Sequence, residues 1–382
     1  MTRPALQAVQ DISAQLRDRV EEVAHRYAPH GYQDGRVWRA LNPGRADRNI
    51  GSFWINLSGP HAGRWHDAST GTGGDMLDLI GLAVGSERKL DEARAFLGMS
   101  EDETPAQRKE RERRSAEARQ VAAARRRKSE EKAAQARKRA LALWMEAQPI
   151  KGTPAAAYLT ARGVGPADLG REPSALRFHP ELWHQAVDPE TGEVLEGRLP
   201  AMVAAIAGGH VEGRPTPFIG LHRTYLARGD DGIWRKAPVP SPKKVLGAFG
   251  GGAIRLWSGF GPRGGKGRRL AEARPGARLY IAEGIEDALS AAVLLGEAQD
   301  VYVIAAVSLM NMRDVALPPA IRDVTIIGDQ DPGPQAQAAL RAAVEAHAHA
   351  GRRVRLWQNH HDGKDLNDAL MKAREQEQEG AA

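Results

Sequence analysis

Four short apolar runs in the last third of the chain alternate with helical patterns, and this alternation constrains the fold most. The runs are rich in β-branched residues and cover residues 277–282, 301–306, 323–328 and 353–357. Helical patterns lie between the first two runs and between the last two, at residues 284–296 and 334–351. Buried strands that alternate with helices predict a parallel sheet covered on both faces. We therefore expect an α/β domain in this part of the chain.

Acidic residues follow three of these predicted strands. Glu283 follows the first run, Asp329 and Asp331 follow the third, and Asp365 comes after the fourth. Ligands of open parallel sheets bind beyond the carboxyl ends of the strands. Carboxylates that meet there repel one another, and hard cations such as Mg²⁺ or Mn²⁺ prefer oxygen ligands. The pattern predicts a divalent metal site for phosphoryl or nucleotidyl transfer or phosphodiester cleavage; a solvated Asp-Pro-Gly turn is the alternative.

These segments resemble the Toprim domain shared by bacterial-type primases, topoisomerases and some nucleases. The resemblance covers residues 279–370 and rests on LYIAEGIEDALSA, AAVSLMNM, IIGDQDPGPQAQAAL and GKDLNDAL, in the family's order. It implies that Glu283 is a metal-linked or general acid/base glutamate and that Asp329 and Asp331 hold Mg²⁺. It further implies an additional acidic metal position at Asp365 and a phosphate contact at Lys364.

The segment before this region resembles the catalytic core of primases more loosely. Residues 215–226 contain a Gly-x-x-Arg pattern, and residues 241–249 contain a Pro-Lys pattern. The resemblance implies that Arg223, Lys243 and Lys244 line the path of a nucleotide or template. Cations opposite a carboxylate–metal site are what triphosphate binding needs. Ordinary surface charge is the alternative.

The N-terminal region resembles a primase zinc ribbon without its zinc ligands. Residues 42–53 and 63–80 stand where such ribbons carry their ligands, but the chain has no cysteine. A tetrahedral structural site needs Cys or His at fixed spacing, so we expect no zinc. The aromatic side chains of this region either form a small core, which we favour, or stack on single-stranded bases. They are Trp38, Phe53 and Trp65.

The positive charge of the chain is concentrated in one segment. The net charge is +6, yet residues 106–140 alone hold 14 Lys and Arg against 5 Glu, so the remainder carries −3. With few large apolar residues, this segment predicts a solvated helix or a disordered linker, and it is also a candidate for phosphate contacts. We expect a zinc-ribbon-like domain, a basic linker, an α+β primase-core-like domain, a Toprim domain and a polar tail. Their predicted limits are 1–100, 101–140, 141–270, 271–372 and 373–382.

The stretch GFGPRGGKGRR, residues 259–269, invites a P-loop interpretation that its residues contradict. Phe260 stands where the motif needs its first glycine, and Gly267 stands where it needs Ser or Thr. A mobile basic loop is the better interpretation.

The sequence as a whole predicts a primase-like enzyme. No apolar run approaches the roughly 20 residues of a membrane-spanning helix, and the lack of cysteine fits a reducing, cytoplasmic compartment. We expect a Mg²⁺-dependent DNA primase-like nucleotidyltransferase of a phage or mobile element, which makes RNA primers from NTPs on single-stranded DNA. A Toprim nuclease and a non-catalytic DNA-binding replication accessory are the alternatives. A separately encoded replicative helicase is a candidate partner, and no membrane partner is expected.

Overall fold

The computed structural model describes residues 3–34, 36–47, 50–99, 105–330, 333–359 and 365–380. The chain divides into two compact units, one ending at Lys132 and the other beginning at Ala133. In the first unit, two helices precede a five-stranded antiparallel sheet and two more follow it. These elements are α1 (Arg3–Asp18), α2 (Val20–Tyr27), β1 (Gly31–Asp34), β2 (Val37–Ala40), β3 (Phe53–Asn56), β4 (Trp65–Asp67), β5 (Thr72–Gly74), α3 (Met76–Val84) and α4 (Lys89–Leu97).

The core of the first unit lies on one face of its sheet, where the strands follow one another in chain order. Alternate residues of a strand point to opposite faces, and the inward set contains Trp38, Phe53, Ile55 and Trp65. Their exposed fractions are only 7%, 0%, 0% and 6%, and they pack against the helices. The three aromatic side chains for which the sequence left two roles open are therefore core residues.

A buried polar cluster joins the two segments that resemble the ligand-bearing segments of a zinc ribbon. The Oδ2 atom of Asp67 accepts a hydrogen bond from Nδ2 of Asn42 at 2.6 Å and lies 3.2 Å from a guanidinium nitrogen of Arg45. Its Oδ1 atom accepts from the backbone and hydroxyl of Ser69. Burial by itself raises the pKa of Asp67, but these hydrogen bonds and the Arg45 charge outweigh it and leave the pKa below its usual value. The side chains around Asp67 include an arginine and no thiolate, so they do not fit a zinc site.

The basic segment forms one long helix, α5 (Pro105–Glu146). Most side chains between residues 116 and 139 are exposed, and several pair along the helix, as Arg126 does with Glu130 at 2.8 Å. The last turns carry a buried side, where Ala140, Leu143 and Trp144 pack within the second unit. The helix thus contributes charge along most of its length and core residues at its end.

The second unit is a mixed α/β structure. Its elements are α6 (Pro154–Ala161), α7 (Pro166–Leu169), β6 (Leu176–Val187), β7 (Val194–Ala207), β8 (Phe218–Arg228), β9 (Trp234–Lys236), β10 (Lys243–Gly247), β11 (Ala253–Trp257), β12 (Arg278–Ala282), α8 (Ile285–Leu295), β13 (Val301–Ala305), β14 (Asp323–Gly328), α9 (Pro334–His349), β15 (Arg353–Gln358) and α10 (Leu366–Gly380). The segment predicted as a polar tail is therefore helical as far as Gly380. Among the described residues, no helix is both long and apolar enough to cross a membrane.

The four C-terminal strands form the predicted parallel sheet, in the order β13-β12-β14-β15. This confirms the α/β fold class. The sheet does not end there, because β11 pairs antiparallel with β13 on one side and with β7 on the other. Strands β7, β8 and β10 continue the same sheet. The upstream region and the C-terminal α/β region therefore share one sheet, which the sequence did not predict.

The two faces of the upstream strands are buried in different cores. Met202, Ala204 and Ile206 of β7 pack on the same side as α6, α8 and α10. Val203 of β7 and Leu221 of β8 pack on the opposite side, against the end of α5. This alternation decides which side chains of β8 and β10 can reach the end of β12.

Candidate active site

Two of the predicted carboxylates lie at one edge of the parallel sheet. Glu283 follows β12, and Gly284 then begins helix α8. Asp329 follows β14, which pairs with β12 so that Ile281 lies opposite Ile326. Glu283 and Asp329 therefore leave neighbouring strands at almost the same level, and both are half-buried. Asp331 and Lys364 lie outside the described residues.

A further carboxylate, which was not predicted from the sequence, lies at this edge. Asp287 lies in the first turn of α8 and is only 7% exposed. Burial, followed by the charges of Asp365 and Asp329, raises the pKa of Asp287 to about 7. The backbone N–H of Asn367 donates to its Oδ1 atom at 3.1 Å. Its position four residues after Glu283, one turn into the helix that leaves the strand, was a signal that could have identified it.

The chemistry of this edge fits a hard divalent cation. Its donors are carboxylate oxygens, and burial together with the charges of Asp365 and Asp329 raises the pKa of Asp287, which a bound cation would lower again. Within the described part of the chain, no group of three or more acidic or histidine side chains is arranged so that it could hold a metal ion. Asp331 is not among the described residues. The edge is thus a group of neighbouring carboxylates and not a complete coordination shell.

A pocket of about 270 Å³ lies beside Glu283, where α8 begins. Glu283 and Glu286 line it on the side of the parallel sheet, and His222, Lys243 and Lys244 line it on the side of β8 and β10. Typical ligand pockets have volumes of roughly 300–1,000 Å³. The pocket is therefore slightly smaller than typical ligand pockets, with acidic groups on one wall and cationic groups on the other.

The structure brings two of the three predicted upstream cations to this pocket. Lys243 lies opposite Thr224 in the strand register, on the same face as His222, and its side chain is exposed. Lys244 lines the pocket, but its ammonium donates to the backbone carbonyl of Gln185. Arg223 lies on the opposite face of β8, where it donates to the hydroxyl of Tyr225 at 3.1 Å. Strand alternation separates Arg223 from Lys243.

Glu286 belongs to a buried network behind the pocket. It accepts hydrogen bonds from the hydroxyl of Tyr158 and from Nζ of Lys236, the latter at 2.9 Å. Burial by itself raises the pKa of Glu286, but the Lys236 charge and both hydrogen bonds outweigh it and hold the pKa at about 2. The carboxylate is therefore ionised although it is buried.

His222 lies next to this network and is 7% exposed. Burial lowers its pKa to about 4, with Lys243, Lys236 and Arg223 acting in the same direction and Glu286 opposing them. Its Nδ1 atom is buried and has no hydrogen-bond partner among the described residues. At neutral pH the pocket is therefore lined by an uncharged imidazole between charged groups.

Family models match two parts of the chain. Residues 278–375 match the family described as "Toprim domain". The C-terminal part of the chain is a Toprim domain. The Toprim domain thus contains the parallel sheet and its acidic edge, while residues 134–256 match a "Domain of unknown function (DUF7146)", which supplies the cationic wall of the pocket.

Two solved structures are distantly similar to this Toprim-domain protein. The Aquifex aeolicus primase, in its zinc binding and RNA polymerase domains, is 16% identical over 97% of this chain and 84% of that one, with a TM-score of 0.36. The primase fragment of the bacteriophage T7 primase-helicase protein is 15% identical over 58% of this chain and 72% of that one, with a TM-score of 0.31. No curated protein matches the chain.

Proposed function

We propose that this protein is a primase-like nucleotidyltransferase that joins ribonucleotides on a single-stranded DNA template with Mg²⁺ or Mn²⁺. The observation that carries the proposal is the pocket in which Glu283, at the end of β12, faces Lys243 of β10. A Toprim domain provides the acidic groups, and the upstream strands provide the cations that a triphosphate needs. A phage or mobile-element setting and a separately encoded helicase belong to the same proposal.

In this proposal, Asp329, Asp287 and Asp365 hold the metal ion together with Asp331. The ion, when bound, would stabilise the negative charge that develops on the transferred phosphate. Glu283 accepts the proton of the attacking 3′-hydroxyl, whose oxygen then bonds to the α-phosphorus while pyrophosphate leaves. Lys243 binds the phosphates of the incoming nucleotide, and Lys364 provides a further phosphate contact.

The roles of the upstream cations differ because of their positions. Lys243 faces the pocket with an exposed ammonium, whereas the ammonium of Lys244 is already bonded to Gln185. Lys244 is therefore a weaker candidate for the nucleotide and contributes mainly to the shape of the wall. Arg223 faces the other core, and we leave it out of the proposed nucleotide site.

The test is primer synthesis from labelled NTPs with Mg²⁺ or Mn²⁺ on single-stranded templates of varied sequence. The wild type should release short oligoribonucleotides, and Asp329→Asn and Glu283→Gln should release none. Lys243→Ala should raise the KM for NTP by roughly 10- to 100-fold, because a charge-assisted hydrogen bond contributes about 1.5–3 kcal/mol. Lys151→Ala, which removes an exposed lysine far along the chain from these strands, is the matched control.

The same assay separates the alternatives. Metal-dependent cleavage of DNA without NTPs, abolished by Asp329→Asn, would indicate a Toprim nuclease instead. Template binding that survives Asp329→Asn, with no turnover by folded wild-type protein on any template, would indicate a non-catalytic accessory. Either outcome would contradict the proposed nucleotidyl transfer.

A further inference from the structure

The glycine-rich loop between β11 and β12, residues 261–269, presents four cations and no acidic residue. All four side chains are exposed. Lys266 donates to the hydroxyl of Ser174 at 2.7 Å, and none of the four forms an ion pair with a carboxylate of the described residues. The four cations are Arg263, Lys266, Arg268 and Arg269. The loop therefore carries four positive charges, and no carboxylate of the described residues pairs directly with any of them.

Hydrogen bonds anchor the loop at its base. The guanidinium of Arg171 donates to the carbonyl of Gly259 at 2.6 Å and lies 3.5 Å from the centre of the Trp257 ring. Backbone bonds from Gly261 to Gly265 and from Gly267 to Gly259 close the loop on itself. An anchored loop presents its cations with a smaller entropy cost on binding than a mobile one would.

The loop lies at the opposite end of the strands from the acidic edge. Trp257 lies opposite Val303, and Phe260 bridges to Gln299, before β13 begins. Glu283 instead follows the end of β12, at the level of Ala305. The six residue-to-residue steps from Gln299 to Ala305 span roughly 20 Å at about 3.3 Å per step. The cations are therefore too far away to contact the nucleotide bound beside Glu283.

We propose that the loop of residues 261–269 is a second nucleic-acid contact, which binds the phosphate backbone of a strand independently of its sequence. The inference extends the proposed function, since it needs a nucleic acid to be the protein's ligand. A strand stacked as in a duplex rises about 3.4 Å per nucleotide and spans the distance from the acidic edge with roughly six nucleotides. An oligonucleotide of 16 nucleotides is therefore long enough to contact both places.

The test measures the binding of labelled single-stranded oligonucleotides of 4 and 16 nucleotides to the full chain over a salt series, in EDTA to prevent turnover. The loop variant replaces its four cations with glutamine: R263Q, K266Q, R268Q and R269Q. The control variant removes the same charge from four scattered, exposed positions: R214Q, R322Q, R355Q and K372Q. Thermal unfolding checks that both variants are folded.

For the 16-mer, the loop variant should bind about tenfold or more weakly than the wild type. Its log–log salt slope should be smaller by up to about 3, or roughly 0.7 for each phosphate that the loop no longer neutralises. The control should keep most of the wild-type slope, and the loop variant should lose less affinity for the 4-mer than for the 16-mer, because the 4-mer has fewer phosphates to contact the loop. Equal 16-mer binding by the loop variant and the wild type would overturn the inference. An equal loss of affinity for poly-glutamate would also overturn it and indicate a general anion site.

The result for the loop can be distinguished from the result for the proposed function. If the loop variant loses 16-mer affinity but the wild type never makes primers, the proposed nucleotidyl transfer fails and the loop contact stands. If primers are made and the loop variant binds normally, the inference about the loop fails and the proposed function stands. Absence of any 16-mer binding by the wild type at low salt would overturn the inference directly.

Discussion

The ammonium of Lys236, on β9, lies 2.9 Å from the buried carboxylate of Glu286, on α8 of the Toprim domain. Lys236 belongs to the region that matches the domain of unknown function. The pair therefore connects the upstream region to the first turn of the helix that follows Glu283. Because Gly284 and Glu286 both line the pocket, the pair also holds one wall of the proposed nucleotide site.

Replacing Lys236 with methionine should destabilise the second unit by about 2–4 kcal/mol. Breaking a buried pair leaves an uncompensated charge, at a cost of about 3–5 kcal/mol, and the cost should be discounted here because Lys236 is 34% exposed. Thermal and urea unfolding of the full chain measure the change. The neighbouring Arg235→Met, which removes an exposed pair with Asp231, should leave the free energy of unfolding almost unchanged, because water screens exposed pairs. Equal effects of the two substitutions would contradict the buried role of Lys236.

His222 should make the protein less stable as the pH falls from about 6.5 to about 4. The unfolded chain binds a proton near the ordinary pKa of about 6.5, whereas the folded imidazole stays neutral until about 4. The unfolded state therefore binds more protons in this window, and stability is lost as the pH drops. The free energy of unfolding of the wild type relative to His222→Gln should fall by up to roughly 3 kcal/mol across it.

Urea unfolding of both proteins at several pH values measures this difference, and NMR of the imidazole gives the titration directly. A His222 signal that titrates near 6.5 in the folded protein would contradict the burial that lowers its pKa. A constant stability difference between the two proteins would do the same.

When divalent cations are absent, Asp287 should make the protein less stable as the pH rises, which is the opposite of the effect of His222. Its folded pKa is raised to about 7, so the folded state keeps a proton that the unfolded state loses near 4. Stability from this group is present at low pH and is lost as the pH rises from about 4 to about 7. In EDTA at pH 8, Asp287→Asn should therefore be more stable than the wild type, by up to roughly 3–4 kcal/mol.

Added Mg²⁺ should raise the melting temperature of the wild type more than that of Asp287→Asn, since a ligand that binds only the folded state stabilises it. The exposed Glu297→Gln serves as the control, with an expected change within about 0.5 kcal/mol at either pH. Identical pH profiles for the wild type and Asp287→Asn would show that the acidic edge does not strain this carboxyl group.

The cluster around Asp67 should stabilise the first unit without zinc. Asp67→Ala removes the partner of Asn42, Arg45 and Ser69, and should cost about 1–3 kcal/mol, because the buried amide of Asn42 loses its acceptor while Arg45 keeps its pair with Asp47. Treatment of the wild type with a zinc-selective chelator should leave the melting transition of the first unit unchanged, because hydrogen bonds and an ion pair occupy this position. A melting temperature that falls with chelator and recovers with zinc would refute this account.

Local patterns in the sequence determined the elements that most directly build the Toprim domain. Runs such as 301–306 are apolar throughout and include β-branched residues, which favours strands buried on both faces, and such strands favour a parallel sheet with helices around it. Glu283 and Asp329 come directly after such strands, so their place at the sheet edge follows from chain order. Their catalytic roles, and those of Asp331, Asp365 and Lys364, stay predictions.

Tertiary structure decided what depends on contacts between distant parts of the chain. Whether Arg223 or Lys243 faces the pocket depends on strand register, and a shift of one residue reverses the face of every side chain. The pairing of β11 with β13, which joins the two regions into one sheet, and the meeting of Lys236 with Glu286 leave no local pattern. Nor does the proximity of Asp287 to Asp365, which raises the pKa of Asp287. The short-range periodicity of the sequence indicates which face of a helix or strand is buried. Only the folded chain determines which residues that face contacts.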